Sequence, residues 1–127
     1  VADERLADLD DVCDRRALVI DARNRDRFRG DFEPVDPRAG HVPGAINVPC
    51  RENLRDGHLI DAESIRQKYS DAGVFDAGEV ISYCGSGVTA CHNLLTLELS
   101  GFPRAKLYPG SWSEYSNAAG RPVALGP

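Results

Sequence analysis

The sequence predicts an α/β domain with a parallel sheet, and three observations carry that expectation. Short apolar runs of strand length recur at 17–20, 45–48, 79–83 and 105–107. Segments with helical spacing of apolar residues alternate with them, and glycine or proline punctuates the junctions. Strands separated by helices need crossover connections that cover the sheet, which is the pattern of a parallel α/β arrangement.

The elements follow in order. Residues 3–9 read as a short helix with Leu6 and Leu9 on one side. Ala17, Leu18, Val19 and Ile20 are continuously apolar and end at Asp21, as in a buried strand. A polar stretch with Pro34, Pro37, Gly40, Pro43 and Gly44 reads as loop. A second strand over 45–48 is stopped by Pro49. Asp61 can cap a helix over 62–72, with Ile65, Tyr69 and Ala72 inward and Gly73 ending it. A third strand, 79–83, runs into a glycine-containing loop, 84–89. A helix carrying Cys91, Leu94, Leu95 and Leu99 follows, with Gly101 as its C-cap. After the strand at 105–107, Ser111 is expected to cap a last helix through Trp112 and Tyr115.

Composition narrows the function classes. With 127 residues, 42% hydrophobic and 28% charged, the chain suits one domain with one working core. A net charge of -5 argues against a nucleic-acid partner. Arg23, Arg25, Arg27, Arg29 and Arg38 nevertheless form a local basic stretch. No apolar run approaches the roughly 18 residues of a membrane span. The acidic first residues lack the pattern of a secretory signal, so no membrane partner and a cytoplasmic location are expected. The four cysteines, Cys13, Cys50, Cys84 and Cys91, show no metal-finger spacing, and disulfides are not expected. His58, beside an Asp56-Gly57 turn, and His92, inside a helix, lack ligand partners at useful spacing. Neither a metal nor a cofactor is expected.

Ligands of open α/β sheets bind beyond the carboxyl ends of the strands. Asp21 and Cys84 fall there. In Ile81-Ser82-Tyr83-Cys84-Gly85-Ser86-Gly87-Val88-Thr89-Ala90 a strand delivers a cysteine directly into a glycine loop that opens a helix. Inward-pointing N–H groups and the helix N-terminus favour the thiolate, which is the nucleophilic form. Phosphatases with a comparable cysteine cradle need an arginine six positions after the cysteine. That position is Ala90 here, and the loop is one residue short for phosphate.

Two flanking segments give this loop a family context. Gly40-His41-Val42-Pro43-Gly44-Ala45-Ile46-Asn47-Val48-Pro49 resembles the first signature of the rhodanese family. Ala105-Lys106-Leu107-Tyr108-Pro109-Gly110-Ser111-Trp112-Ser113-Glu114-Tyr115 resembles its C-terminal signature. The six residues from Cys84 to Thr89 lie between them, where rhodaneses keep their active loop, so the resemblance runs from Leu18 to Tyr115.

The resemblance implies one rhodanese-like domain over 1–127, of the catalytic, C-terminal type. Its fold would be a doubly wound sheet of about five parallel strands with helices on both faces. The implied reaction moves sulfur from a small anionic donor to Cys84 as a persulfide, and then to cyanide or a thiol acceptor. The backbone of Gly85, Gly87, Val88 and Thr89 would cradle the charge. Uncharged Gly85 and Ser86 resemble the loops of 3-mercaptopyruvate sulfurtransferases, in which the residue at Ser86 is implied to relay a proton or polarise the donor. Arg27 and Arg38 match substrate-binding arginines, whose planar fork suits a carboxylate. His41 matches a structural histidine, and Arg23 is read as a structural ion-pair partner. Thiosulfate:cyanide transfer is the alternative main activity, and a non-catalytic rhodanese-like binding module is a third reading. Relatives of this kind carry two rhodanese-like domains, so an N-terminal partner domain outside this chain is also expected.

Overall fold

The computed structural model describes residues 5–14, 16–85, 89–102 and 104–127. Its strands are β1 (Leu18–Asp21), β2 (Ile46–Asn47), β3 (Leu54–Arg55), β4 (His58–Leu59), β5 (Val80–Tyr83) and β6 (Lys106–Leu107). Four of them form a parallel sheet in the order β2-β1-β5-β6. β1 lies at its centre, with Ile20 opposite Ile46 and Asp21 opposite Tyr83. Beyond β6 the fifth strand is reduced to one parallel bridge between Leu6 and Leu107, with the Ala7 N–H donating to the Leu107 carbonyl at 2.8 Å. β3 and β4 form a separate antiparallel hairpin about Asp56 and Gly57, at φ 53 and 79. Two positive φ values suit the tight turn of a two-residue hairpin.

Side chains alternate across the strands and divide the core in two. Val19, Ile81 and Tyr83 pack with Val12 of α1 (Leu9–Cys13), Phe28 of α2 (Arg25–Arg29), and Trp112 and Tyr115 of α5 (Ser111–Asn117). Ile20 and Val80 pack on the other side with Ile65 and Tyr69 of α3 (Ala62–Asp71) and Leu97 of α4 (Ala90–Leu99). The sheet is therefore flanked by helices on both faces.

The helices depart from expectation where local signals compete. Among the described residues the first α-helix begins at Leu9, because Asp8 and Asp11 form a reciprocal capping box at 2.9 and 3.0 Å and Leu6 is used by the sheet edge. Residues 3 and 4 lie outside the described residues. α2 occupies part of the stretch read as loop. Its five residues bury only Phe28, so no apolar period marks it, and Gly30 at φ 88 ends it. α4 presents Asn93 and Thr96 to the core beside Leu97, while Cys91, Leu95 and Leu99 face solvent. The buried polar groups are satisfied: Asn93 Nδ2 donates to the Val48 carbonyl at 2.9 Å, and the Tyr69 and Thr96 hydroxyls meet at 2.5 Å. Among the described residues, no helix is long and apolar enough to cross a membrane.

Gly40, at φ 118, is the tightest backbone position near the site: a Cβ there would lie 2.4 Å from the Ala124 carbonyl oxygen. Gly40→Ala is expected to cost about 2–4 kcal/mol, from left-handed strain plus overpacking. Gly57→Ala, at φ 79 in open space, should cost about 1–2 kcal/mol from strain alone. Urea unfolding midpoints of the two variants compare them directly, and equal losses would rule out the clash.

Candidate active site

β1 leads to β2 on one side of the sheet, and β5 leads to β6 on the other. The carboxyl ends of β1 and β5 therefore open the crevice in which doubly wound sheets bind ligands. Cys84 leaves β5 at this point and is 1% exposed.

The first turn of α5 fixes its backbone. The Cys84 N–H donates to Ser111 Oγ at 3.0 Å, and its carbonyl accepts the Trp112 N–H at 2.8 Å. The next carbonyl, of Gly85, accepts the Ser113 N–H at 3.0 Å. The Ser111 hydroxyl donates onward to the Tyr108 carbonyl at 2.9 Å. Ser111 is thus not the cap expected from its sequence position. Gly110 precedes the helix, and Ser111 opens it at φ 53, with its hydroxyl clamping the active loop. A left-handed conformation is uncommon for a non-glycine residue, and here it aims the hydroxyl at two buried backbone groups.

A cleft of about 230 Å³ opens beside the loop, lined by Arg27, Cys50, Arg51, Gly85 and Thr89 among others. Arg27 crosses it: a Cβ on Gly85 would lie 3.2 Å from Arg27 Nη1. Arg27 Nη2 reaches Glu33 Oε2 at 3.1 Å and Asp36 Oδ2 at 3.5 Å. Its Nε has no hydrogen-bond partner among the described residues. The arginine is therefore oriented from behind, with the buried Nε inside and Nη1 turned toward Gly85 at the cleft. Asp36 Oδ1 also accepts the Ser113 hydroxyl at 2.8 Å, which ties this support to α5. Burial raises the Glu33 carboxyl, but N–H bonds from Asp36 and Val35 and the nearby Arg27 outweigh it, so its pKa lies below the ordinary 4.5.

Arg38 is placed differently. Its guanidinium donates to the carbonyls of Ser116, Arg121, Tyr115 and Ala118 at 2.8 to 3.2 Å, closing the end of α5. It does not line the cleft with Arg27. Arg23 is buried, paired with Asp21 at 2.8 Å, donating to the Gly40 carbonyl at 2.6 Å and stacked 4.8 Å from the Trp112 ring centroid. Burial opposes its charge, but Asp21 prevails and its pKa is raised. His41 Nδ1 donates to the Phe28 carbonyl at 2.7 Å, and its ring stacks on Phe28. Thr89 is exposed at the start of α4. Ser86, Gly87 and Val88 lie outside the described residues. The cysteines form no disulfide, and no metal-binding group of side chains occurs among the described residues.

Three site residues were not singled out from sequence: Ser111 as a clamp, Arg51 and Cys50. Burial pushes the Cys50 thiol up from its ordinary value, and the nearby Cys84 pushes the same way. The strand-end rule that marked Cys84 applies equally to Cys50, three residues beyond β2.

Residues 2–118 match the family model of the rhodanese-like domain. The chain belongs to the rhodanese family. A Pseudomonas aeruginosa protein named "Probable 3-mercaptopyruvate sulfurtransferase" is 49% identical over 110 residues, covering 85% of this chain and 39% of that protein. A Mycobacterium tuberculosis protein provisionally named a thiosulfate sulfurtransferase is 48% identical over 109 residues, covering 85% of this chain and 38% of its own length. This rhodanese-like chain thus spans about two-fifths of the curated relatives it matches. Among solved structures, an anaerobic ergothioneine biosynthesis enzyme from Chlorobium limicola superposes with a TM-score of 0.85 at 22% identity, covering 98% of this chain and 32% of that one. At that identity the likeness is one of fold.

Ser111→Ala leaves the buried Cys84 N–H and Tyr108 carbonyl without their partner and is expected to cost about 1–3 kcal/mol in chemical denaturation. The depressed Glu33 pKa makes a separate prediction. Its stabilisation is full above its unfolded value near 4.5 and is lost as pH falls through the lower folded value. Stability measured between pH 6 and roughly pH 3 should therefore fall less steeply in Glu33→Gln than in the parent, and identical acid limbs would refute the assignment.

Proposed function

We propose that this rhodanese-like domain is a sulfurtransferase that carries sulfur on Cys84 and takes it from 3-mercaptopyruvate. The observation that supports the reading best is the position of Cys84: buried at the switch point of the sheet, pinned by α5, with Arg27 facing it across Gly85.

The Cys84 thiolate attacks the donor sulfur, and a persulfide S–S bond forms as the donor C–S bond breaks. The bonding pair leaves as pyruvate enolate, which takes up a proton. Ser86 is assigned to relay that proton, and the loop backbone at Gly85, Gly87, Val88 and Thr89 to stabilise the sulfur anion. Arg27 Nη1 is assigned to the donor carboxylate, with Arg51 as a second cation at the cleft. Arg38 is left out of this grip because its donors are committed to carbonyls. A thiolate or cyanide then attacks the outer sulfur and releases the Cys84 thiolate, in a ping-pong cycle. The curated relatives are more than twice as long as this chain, so we assign it an N-terminal rhodanese-like partner domain that completes the pocket.

The test is the mass of the Cys84 peptide after exposure to 3-mercaptopyruvate or thiosulfate, with Cys84→Ser as control. One added sulfur from mercaptopyruvate and little from thiosulfate is the expected result. Preferential loading by thiosulfate would overturn the donor, and no loading of a protein extended to include the partner domain would overturn the chemistry. Arg27→Ala should raise the donor KM by roughly tenfold to a hundredfold, the loss of about 1.5–3 kcal/mol from a charged hydrogen bond.

A further inference from the structure

Cys84 is almost fully buried, yet an acceptor must reach its sulfur. A second thiol stands on the route. Cys50 begins the short turn Cys50–Asn53 after β2, is half-buried, and lines the cleft that opens beside Gly85. It packs against the small cluster of Ala22, Cys84 and Ala90. Backbone bonds fix this neighbourhood from both sides. The Ala22 N–H donates to the Tyr83 carbonyl at 2.8 Å, and the Cys50 N–H donates to the Ala22 carbonyl at 3.0 Å. Cys84 and Cys50 therefore lie on either side of Ala22 at the carboxyl edge of the sheet.

The turn bearing Cys50 is itself anchored. Asn53 bonds Asn93 of α4 at 3.4 Å, and Asn93 bonds the Val48 carbonyl at 2.9 Å. Thr89, the last residue of the active loop, lines the same cleft as Cys50. Arg51 follows at once and offers positive charge at the same cleft.

We propose that Cys50 is a relay thiol: it takes the sulfane sulfur from Cys84 and presents it to acceptors that do not fit the buried site. The inference rests on the Cys84 persulfide reading above. The Cys50 thiolate attacks the outer sulfur of the Cys84 persulfide, a Cys50 S–S bond forms, the Cys84 S–S bond breaks, and its electron pair returns to Cys84 as thiolate. One sulfur atom moves, no net oxidation occurs, and no outside oxidant is needed. The spacing favours this over a direct Cys50–Cys84 disulfide. Ala22 stands between the backbones that carry them, each strand spacing being about 4.8 Å, and the two cysteines form no disulfide. An extra sulfur extends Cys84 by about 2 Å.

The experiment loads the full chain with whichever donor sulfurates Cys84, in a Cys91→Ser background that leaves one cysteine on the Cys84 tryptic peptide. Thiols and persulfides are alkylated at timed intervals before digestion. Sulfur is expected first on Cys84 and then on Cys50, with none on Cys50 in Cys84→Ser. In Cys50→Ser the rate of transfer to glutathione relative to cyanide should fall at least fivefold. A Cys84 peptide that gains sulfur while the Cys50 peptide never does would overturn the relay and leave the Cys84 chemistry standing. So would an unchanged glutathione-to-cyanide ratio, or a Cys50–Cys84 disulfide in place of a Cys50 persulfide. Absence of sulfur on Cys84, also in a protein extended to include the partner domain, would overturn the parent reading, and the relay with it.

Discussion

The buried pair of Asp21 and Arg23 holds the carboxyl edge of the sheet together. Asp21 ends β1, and its carboxylate accepts from the Arg23 N–H, Nε and Nη2. Arg23 in turn bonds the Gly40 carbonyl and lies over Trp112. Three distant segments, the strand end, the loop before β2 and the last helix, thus meet on one guanidinium. A buried ion pair is weak support for net stability, because desolvation offsets much of the attraction. Removing one partner is nevertheless severe, since it leaves a charge alone in the core. What the pair contributes is connection: its hydrogen bonds and ring contact tie the strand end to the loop before β2 and to the last helix.

That geometry lets the last helix reach the active loop. Trp112 sits under Arg23, and its indole Nε1 donates to the Arg38 carbonyl at 2.8 Å. Its backbone N–H, with that of Ser113 and the Ser111 hydroxyl, holds Cys84 and Gly85. The cysteine is therefore positioned by an element almost thirty residues later in the chain as well as by the strand that delivers it. Burial and backbone satisfaction go together here, as they must where peptide groups leave water.

The arginines divide by the partners they find. Arg23 is neutralised by Asp21, Arg38 is consumed by carbonyls at the end of α5, and Arg27 is steadied by Glu33 and Asp36 with donors left over. One basic stretch in the sequence thus supplies a core pair, a helix clasp and a cation at the cleft. Gly85 permits the last of these, since a side chain there would press on Arg27 Nη1.

The sequence by itself determined the local features. Continuous apolar runs marked β1 and β5, Asp61 and Gly73 bounded α3, and the strand-to-glycine junction marked Cys84 as a candidate nucleophile. These depend on neighbours in the chain, so periodicity and turn chemistry report them. Short or polar elements were less legible: α2 buries a single apolar residue, and the inner face of α4 is partly Asn93 and Thr96. Only the tertiary structure decided what depends on distant partners. It made Ser111 a clamp instead of a cap, separated Arg38 from Arg27, and brought Cys50 beside Cys84 across Ala22. None of these follows from residue type, because an arginine or hydroxyl takes its role from the groups that sheet register and helix packing set against it.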